Sequence, residues 1–353
     1  MSERAPIELT LVRHGESTYN VTGRWQGQGD APLSELGKQQ AARVGARLAG
    51  ETFDKVVSSD LTRAHHTALA TGHPVDMRRE WREIDVGRWE GLTREEVAER
   101  YPDEVHGAFS GEDVKIGGAE SWADLSARVD QAMLTLLREL QPGARAAVVA
   151  HGGVIASLLS GILGLTEHRP RPIGRISNTA ISRLHIWMDA AHQAPAHARL
   201  VGFNDATHAF TVPAWAAEMQ KTGHVLTTLV ADGAAPPLHA FPRVDEAAAE
   251  HVSRVAGAGD VARGLADALG VPFEPITLTA GAERAMAALP IAPGRRVVVL
   301  PPADIARLAG ERMRHAPDGP SSVALPQPGS STNVVVTSKG LTFADYSAVP
   351  HEG

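Results

Sequence analysis

Short runs of apolar, β-branched residues alternate along the chain with stretches whose apolar positions recur every three or four residues. That is the pattern of an α/β protein built on a largely parallel sheet. Ile7 to Val12 (IELTLV) predicts the first strand, and it runs straight into Arg13-His14-Gly15. Ser34 predicts the N-cap of a helix carrying Leu36, Ala41, Val44 and Leu48 on one face. Lys55 to Ser58 predicts a second strand, followed by a helix from near Thr62. Further helices are expected over 93–101 and 122–140. Arg145 to Ala150 predicts a strand that ends on His151-Gly152-Gly153, with an apolar helix after it through Leu163, and Ile176 to Trp187 predicts one more strand.

Two apolar strands therefore end in a histidine and a glycine with a helix just beyond. In open α/β sheets, ligands bind outside the carboxyl ends of the strands, where helix N-termini offer N–H groups to an anion. One such histidine could simply be a polar residue closing a strand. Two of them, with Arg13 and Arg63 nearby, point to a phosphate site.

Composition narrows the classes. The 353 residues allow two domains. A net charge of −7 argues against a generic nucleic-acid or anionic-membrane binder. The absence of cysteine removes disulfides, thiolate catalysis and Cys-ligated metals. The opening MSERAPIELTLVRHGES turns charged too soon for a signal peptide, and no run approaches the roughly 18 apolar residues of a membrane span. A soluble, cytoplasmic protein is expected. Among 16 histidines, His65-His66 are helix neighbours that face different ways, and there is no HExxH. Neither a metal nor another cofactor is expected. Gly27-x-Gly29 follows no clear strand and reads as a loop turn rather than a nucleotide site.

The chain also resembles itself. Residues 10–15 (TLVRHG) match 228–233 (TLVADG), an offset of 218, and Arg63-Ala64 falls opposite Arg284-Ala285 at 221. PGARAAVVAHGGVIASL at 142–158 matches PGRRVVVLPPADIARL at 293–308 at an offset of about 150, so roughly 70 residues are missing in between. Asn178 can be set against Asn333, and Phe203 and His208 against Tyr346 and His351. The second half then reads as a shortened copy that has lost the chemistry, with Asp232 for His14, Ala231 for Arg13, Pro301 for His151, and only Arg284 kept. Composition shifts toward Ala, Gly and Pro after about residue 189. The expected division is a catalytic domain over 1–210, a linker over 211–222 and a smaller α/β domain over 223–353. Ala316 to Ser331 reads as a loop. An apolar strand edge in such a repeat would suit a homodimer surface.

A phosphoryl group carries its charge on peripheral oxygens, so its transfer depends on positioning and charge stabilisation. Guanidinium forks and an imidazole can hold those oxygens. A neutral imidazole can attack phosphorus, and one carboxyl can protonate the leaving group and later deprotonate water. Arg13, His14, Arg63, Glu83 and His151 supply this set.

LVRHGESTYN at 11–20, SSDLTRAHHTA at 58–68 and AHGGVI at 150–155 resemble the histidine phosphatase superfamily, over about residues 5–208. The resemblance implies the phosphoglycerate-mutase-like three-layer sandwich with a largely parallel sheet. It implies His14 as the phosphorylated nucleophile, and Arg13, Arg63 and His151 as the phosphate pocket. Asn20, Gln26, Gly27 and Gly152 would support it, while Gly15 and Ser17 shape the cradle. REIDVGRWEGLT at 82–93 matches the family's acid segment and implies Glu83 as the proton donor, ahead of Asp85 and Glu90. Mutases of the family usually carry an arginine pair that the stretch 106–120 lacks, and Gln26-Gly27 match the phosphatases. A metal-independent phosphatase of a small phosphate ester is expected, with a phosphoglycerate-type mutase or a non-catalytic phospho-ligand sensor as alternatives. Trp25, Trp81, Trp89 and Trp122 are core by default, with one or two of them lining the leaving-group side; Arg24 and Arg88 are candidate substrate contacts.

Overall fold

A computed structural model describes residues 5–110, 112–162, 175–209, 225–234, 252–257, 259–269, 271–276, 295–313, 326, 330–337 and 340–343. The chain divides into two compact units, the first of residues 1–162 with 184–198 and the second of 163–183 with 199–353.

In the first part of the chain, β1 (Ile7–Arg13), β2 (Lys55–Ser59), β3 (Asp76–Arg78) and β4 (Arg145–Ala150) form the parallel portion of a sheet. Its order is β3-β2-β4-β1, continued by β5 (Ile181–Met188) and β6 (Pro195–Asp205). Strands covered on both faces read as continuous apolar runs. Accordingly Leu9, Leu11 and Val12 of β1 and all of Ala146 to Ala150 in β4 are buried.

The connecting helices are α1 (Thr18–Val21), α2 (Glu35–Leu48), α3 (Thr62–Leu69), α4 (Arg94–Arg100), α5 (Pro102–Ser110), α6 (Trp122–Glu139) and α7 (Gly152–Ile162). Their starts are chemically marked: Ser34 Oγ accepts from Gly37 N, and Thr93 and Ser121 each form a capping box. Crossovers between parallel strands are right-handed. The chain moves outward from β1 to β2 to β3 and then returns to β4, so α2 and α3 cover one face and α6 the other. Packing agrees, with α2 against α3 and α7 against α6. The helices after β1 and β4 thus leave on opposite faces, which opens a crevice at the carboxyl ends of these two neighbours.

The strand expected over 176–187 begins later, at Ile181. Ala180 N donates to Ser177 O and Thr179 sits at φ +55°, so a turn occupies the start of that run. α1, β3, α5 and β6 are additional to the expected elements. The expected loop 316–331 lies almost wholly outside the described residues, apart from 326, 330 and Ser331, where a strand starts.

Later in the chain come β7 (Val225–Ala231), β8 (Val252–Gly257), α8 (Asp260–Leu269), β9 (Phe273–Pro275), β10 (Arg295–Leu300), α9 (Pro302–Met313), β11 (Ser331–Thr337) and β12 (Gly340–Phe343). The strands form a second sheet in the order β9-β8-β10-β7-β11-β12, the same sequence of positions as β3-β2-β4-β1-β5-β6. Register coincides as well. Leu11 faces Val148 and Val12 faces Val149; Leu229 faces Val298 and Val230 faces Val299, at the offsets of 218 and 150 read from the sequence. Val230, Val255, Leu265 and Val297 share its core.

Two sequence matches do not hold. Val57 and Ala256 take equivalent places beside Val148 and Val298, and counting on from them sets Arg63 opposite buried Ala262 in α8, not opposite Arg284. Arg284, Tyr346 and His351 lie outside the described residues. Asn178 precedes its strand whereas Asn333 lies within one, so these two do not take equivalent places.

Candidate active site

The crevice between β1 and β4 is where the two histidines meet. His14 N donates to Ala150 O at 3.0 Å, which carries the parallel pairing one residue past the end of β1. The His14 and His151 rings stand 5.1 Å apart between centroids. Gly15 is required there: a Cβ on it would lie 2.5 Å from Gly37 O. The loop after β1 therefore runs backbone against backbone over the start of α2. Gly15 N donates to Thr67 Oγ1, which donates in turn to Arg63 O, so α3 holds this loop and Arg63 together.

His14 Nδ1 lies 2.6 Å from Gly15 O. A carbonyl can only accept, so Nδ1 carries the hydrogen and Nε2 is the lone-pair nitrogen. Burial first, then the charges of Arg63 and Arg13, push the imidazole well below its ordinary pKa, and the Gly15 bond only partly opposes them. The His151 imidazole is lowered likewise, by burial and then by Arg63, His14 and Arg13. Both rings are neutral at ordinary pH.

Arg63 is fully buried and aimed by two carbonyls: Nη1 donates to Gly29 O at 2.6 Å and Nη2 to Gly27 O at 3.0 Å. Burial lowers its pKa to about 10, against the pull of Glu83 and Asp30 and with the push of Arg13. It stays charged at neutral pH. Arg63 Nε and both ring nitrogens of His151 are buried with no protein partner. Such groups cost free energy unless something hydrogen-bonds them. An anion seated there would accept from Arg63 Nε–H and from the one N–H of the neutral His151 ring.

Glu83 enters from the far side. Its Oε2 accepts from Gly153 N at 2.9 Å and its Oε1 from Ile84 N at 2.9 Å, which places the carboxylate at the start of α7 beside His151. Of the rival acids, Asp85 Oδ1 accepts from Gly87 N, whereas Glu90 lies against Gly29 and its charge helps hold the Arg63 guanidinium protonated.

The structure thus brings Arg13, His14, Arg63, Glu83, His151 and Gly152 together, with Gly152 beside the Arg13 guanidinium. The other expected contributors have structural partners. Asn20 Oδ1 accepts from Ser17 N in the α1 capping box, and Gln26 Oε1 accepts from Ser17 Oγ at 2.7 Å. Gly27, at φ +51°, presents its carbonyl to Arg63. Trp81 and Trp89 are fully buried. Arg24 bonds Gly91 O and Glu96, and exposed Arg88 pairs with Glu104. Among the described residues no group of three or more His, Asp or Glu is placed to hold a metal, and no helix is long and apolar enough to cross a membrane.

Two residues at the site's edge carry no recognisable motif: Arg128 on α6, which donates to Glu83 O, and Glu120, its ion-pair partner. Arg128 lies beside the buried stripe Leu125, Val129, Ala132 and Leu136, where a charge reads as the stripe's solvated margin.

The family model described as "Histidine phosphatase superfamily (branch 1)" matches residues 9–194. A "probable phosphoglycerate mutase GpmB" of Salmonella choleraesuis is 38% identical over 187 residues, covering 50% of this chain and 84% of that protein. Among solved structures, a mycobacterial glucosyl-3-phosphoglycerate phosphatase complexed with VO3 is 31% identical with a TM-score of 0.50, over 55% of this chain and 97% of that one. A structure named mycobacterial hydrolase 2 is 31% identical with a TM-score of 0.51, over 56% of this chain and 89% of that one.

Proposed function

The chain belongs to the histidine phosphatase superfamily (branch 1), and within it we propose that this protein hydrolyses a small-molecule phosphomonoester, without a metal, through a phosphohistidine on His14. The observation that carries this reading is the buried, neutral His14 ring, held in one tautomer between two arginines and facing a second imidazole with no protein partner.

The substrate's phosphoryl oxygens take hydrogen bonds from Arg13, Arg63 and His151, whose geometry is in place before substrate arrives. The His14 Nε2 lone pair bonds to phosphorus as the ester P–O bond breaks, and Glu83 in its acid form gives the leaving oxygen a proton. Water then attacks phosphorus, Glu83 takes its proton, and the P–N bond breaks to release inorganic phosphate. Gly152 lies in the first turn of α7, whose N-terminal end favours the same anion.

The substrate class is a sugar phosphate or a phosphoglycerate-like ester, a choice supported by the name of the mycobacterial phosphatase. A second reading is a mutase, favoured by the names of the Salmonella relatives. It differs only in the acceptor, a second substrate hydroxyl in place of water.

The later half of the chain is a degenerate copy of the catalytic fold, with Asp232 where His14 stands and Pro301 where His151 stands. Shared strand order and register support this, as does Asp232 N donating to Leu300 O at 2.9 Å in the place of His14 N to Ala150 O. An aspartate at that strand end repels phosphate, so the place equivalent to His14 does not hold a phosphoryl group.

The test is phosphate release in EDTA from 4-nitrophenyl phosphate and a panel of sugar phosphates, phosphoglycerates and nucleotides, for the native chain beside His14→Ala. Release that survives EDTA and vanishes in the variant supports the proposal. A folded protein that releases nothing from any compound overturns it.

A further inference from the structure

Arg128 grips the main chain of the acid loop, and its charge also adds to the lowering of the His151 imidazole. Its Nη1 donates to Glu80 O at 2.9 Å and to Arg82 O at 2.8 Å, and its Nη2 donates to Glu83 O at 3.2 Å. The other edge of the guanidinium is gripped by Glu120, with Nε to Oε1 at 2.9 Å and Nη2 to Oε2 at 2.8 Å.

Glu120 holds the same loop from its other end. Its Oε2 accepts from Asp85 N at 2.8 Å, and its own N–H donates to Asp85 O at 3.1 Å. Burial works against its charge, but Arg128 and the Asp85 N–H outweigh burial and hold the carboxyl below its ordinary pKa. The segment before it lies directly on the loop: a Cβ on Gly117 would stand 1.9 Å from Val86 O. Residues on both sides of Glu83 are therefore tied to one ion pair.

We propose that Arg128 and Glu120 form a clamp that sets where the Glu83 carboxyl stands relative to the leaving oxygen. Arg128 is a positioning residue, and its role rests on Glu83 being the proton donor. A planar fork of five N–H donors suits three carbonyls and a carboxylate at once, whereas a lysine ammonium has three donors at a single point.

The test uses two esters. An alkyl phosphate leaves as a strongly basic alkoxide and needs a proton from Glu83; 4-nitrophenyl phosphate leaves as a stable anion and needs little help. In Arg128→Lys, Arg128→Met and Glu120→Gln, kcat for the alkyl ester falls about 10²-fold, the low end of general-acid contributions. kcat for the nitrophenyl ester and the inhibition constant of inorganic phosphate change by no more than a few-fold. Amide hydrogen exchange at Ile84 and Asp85 accelerates in the same variants, which reads the loop without turnover.

Equal losses on both esters, or unchanged exchange at Ile84 and Asp85, overturn the clamp. Glu83→Gln run in parallel separates the two levels. If that variant penalises both esters alike, the proton-donor reading fails first; if it discriminates and the Arg128 and Glu120 variants do not, only the clamp fails. Glu120→Gln keeps the shape of its side chain and serves should an Arg128 variant not fold.

Discussion

Gly153→Ala isolates the role of Glu83 without touching the carboxylate itself. A Cβ on Gly153 would lie 2.3 Å from Glu83 Oε1 and 3.1 Å from its Cδ, whereas ordinary contact begins at 3.4 Å. The carboxylate is the end of a flexible side chain, so it must withdraw by about 1 Å while the backbone stays. Misplacing a catalytic group by that distance costs on the order of 10²-fold. Gly153 lies in the first turn of α7, and alanine there is worth about 0.5–1 kcal/mol of helix stability over glycine. The expected outcome is an alkyl phosphatase rate lowered about 10²-fold, a nitrophenyl phosphatase rate within a few-fold of native, and a thermal midpoint unchanged or raised. Gly152→Ala is the contrast: the atoms nearest its Cβ belong to Arg13, at 3.5 Å and beyond, so any loss it causes acts through the phosphate pocket and falls on both esters alike. Steady-state kinetics on the two esters with a melting curve reads all three quantities. A Gly153→Ala enzyme with its full alkyl phosphatase rate would refute the placement of the proton donor at Glu83.

Three further outcomes are expected. His14→Ala abolishes turnover in the whole chain, because the equivalent place later in the sequence holds Asp232; residual turnover that Asp232→Ala removes would show a second active centre. Gly37→Ala sets a Cβ 1.9 Å from Glu16 O, a backbone atom that cannot swing away, so urea denaturation should register a loss of about 1–3 kcal/mol or more. His14 and His151 both titrate well below the free-imidazole value of about 6.5 when folded. Below that pH the unfolded chain binds protons that the folded chain does not, so stability is full above about 6.5 and falls as pH drops. Melting curves in phosphate-free buffer should show this, with a shallower fall in His14→Ala; an identical slope in native and variant would contradict the cause given for the lowered pKa.

Much of the frame was legible because its signals are local. β1 from Leu9 to Val12 and β4 from Ala146 to Ala150 are buried throughout, so each reads as a largely apolar run whose end is marked by His-Gly, and Ser34, Thr93 and Ser121 announce helix starts by their own chemistry. The offsets between TLVRHG and TLVADG and between the two PG-led strands also carried the pairing register, since parallel neighbours keep step along their length. Arg63-Ala64 against Arg284-Ala285 failed because two residues are too short a match to fix an alignment, and strand pairing sets Ala262 there instead. β6 escaped notice because its first half, from Pro195, is mostly exposed and shows no alternation. Arg128 and Glu120 escaped for a different reason: they bind carbonyls and N–H groups of residues 80 to 85, and a backbone partner leaves no mark on side-chain identity.

The central claim is that phosphate passes through His14, and the most direct measurement is to trap it there. Native chain mixed with substrate in EDTA is quenched in alkali, where a phosphohistidine survives, digested, and mapped by mass spectrometry. The account predicts one phosphoryl group on the peptide carrying His14, absent in His14→Ala and broken down with a rate constant no smaller than kcat. Steady turnover with no phosphoryl group on His14, or with one on another residue, would contradict it.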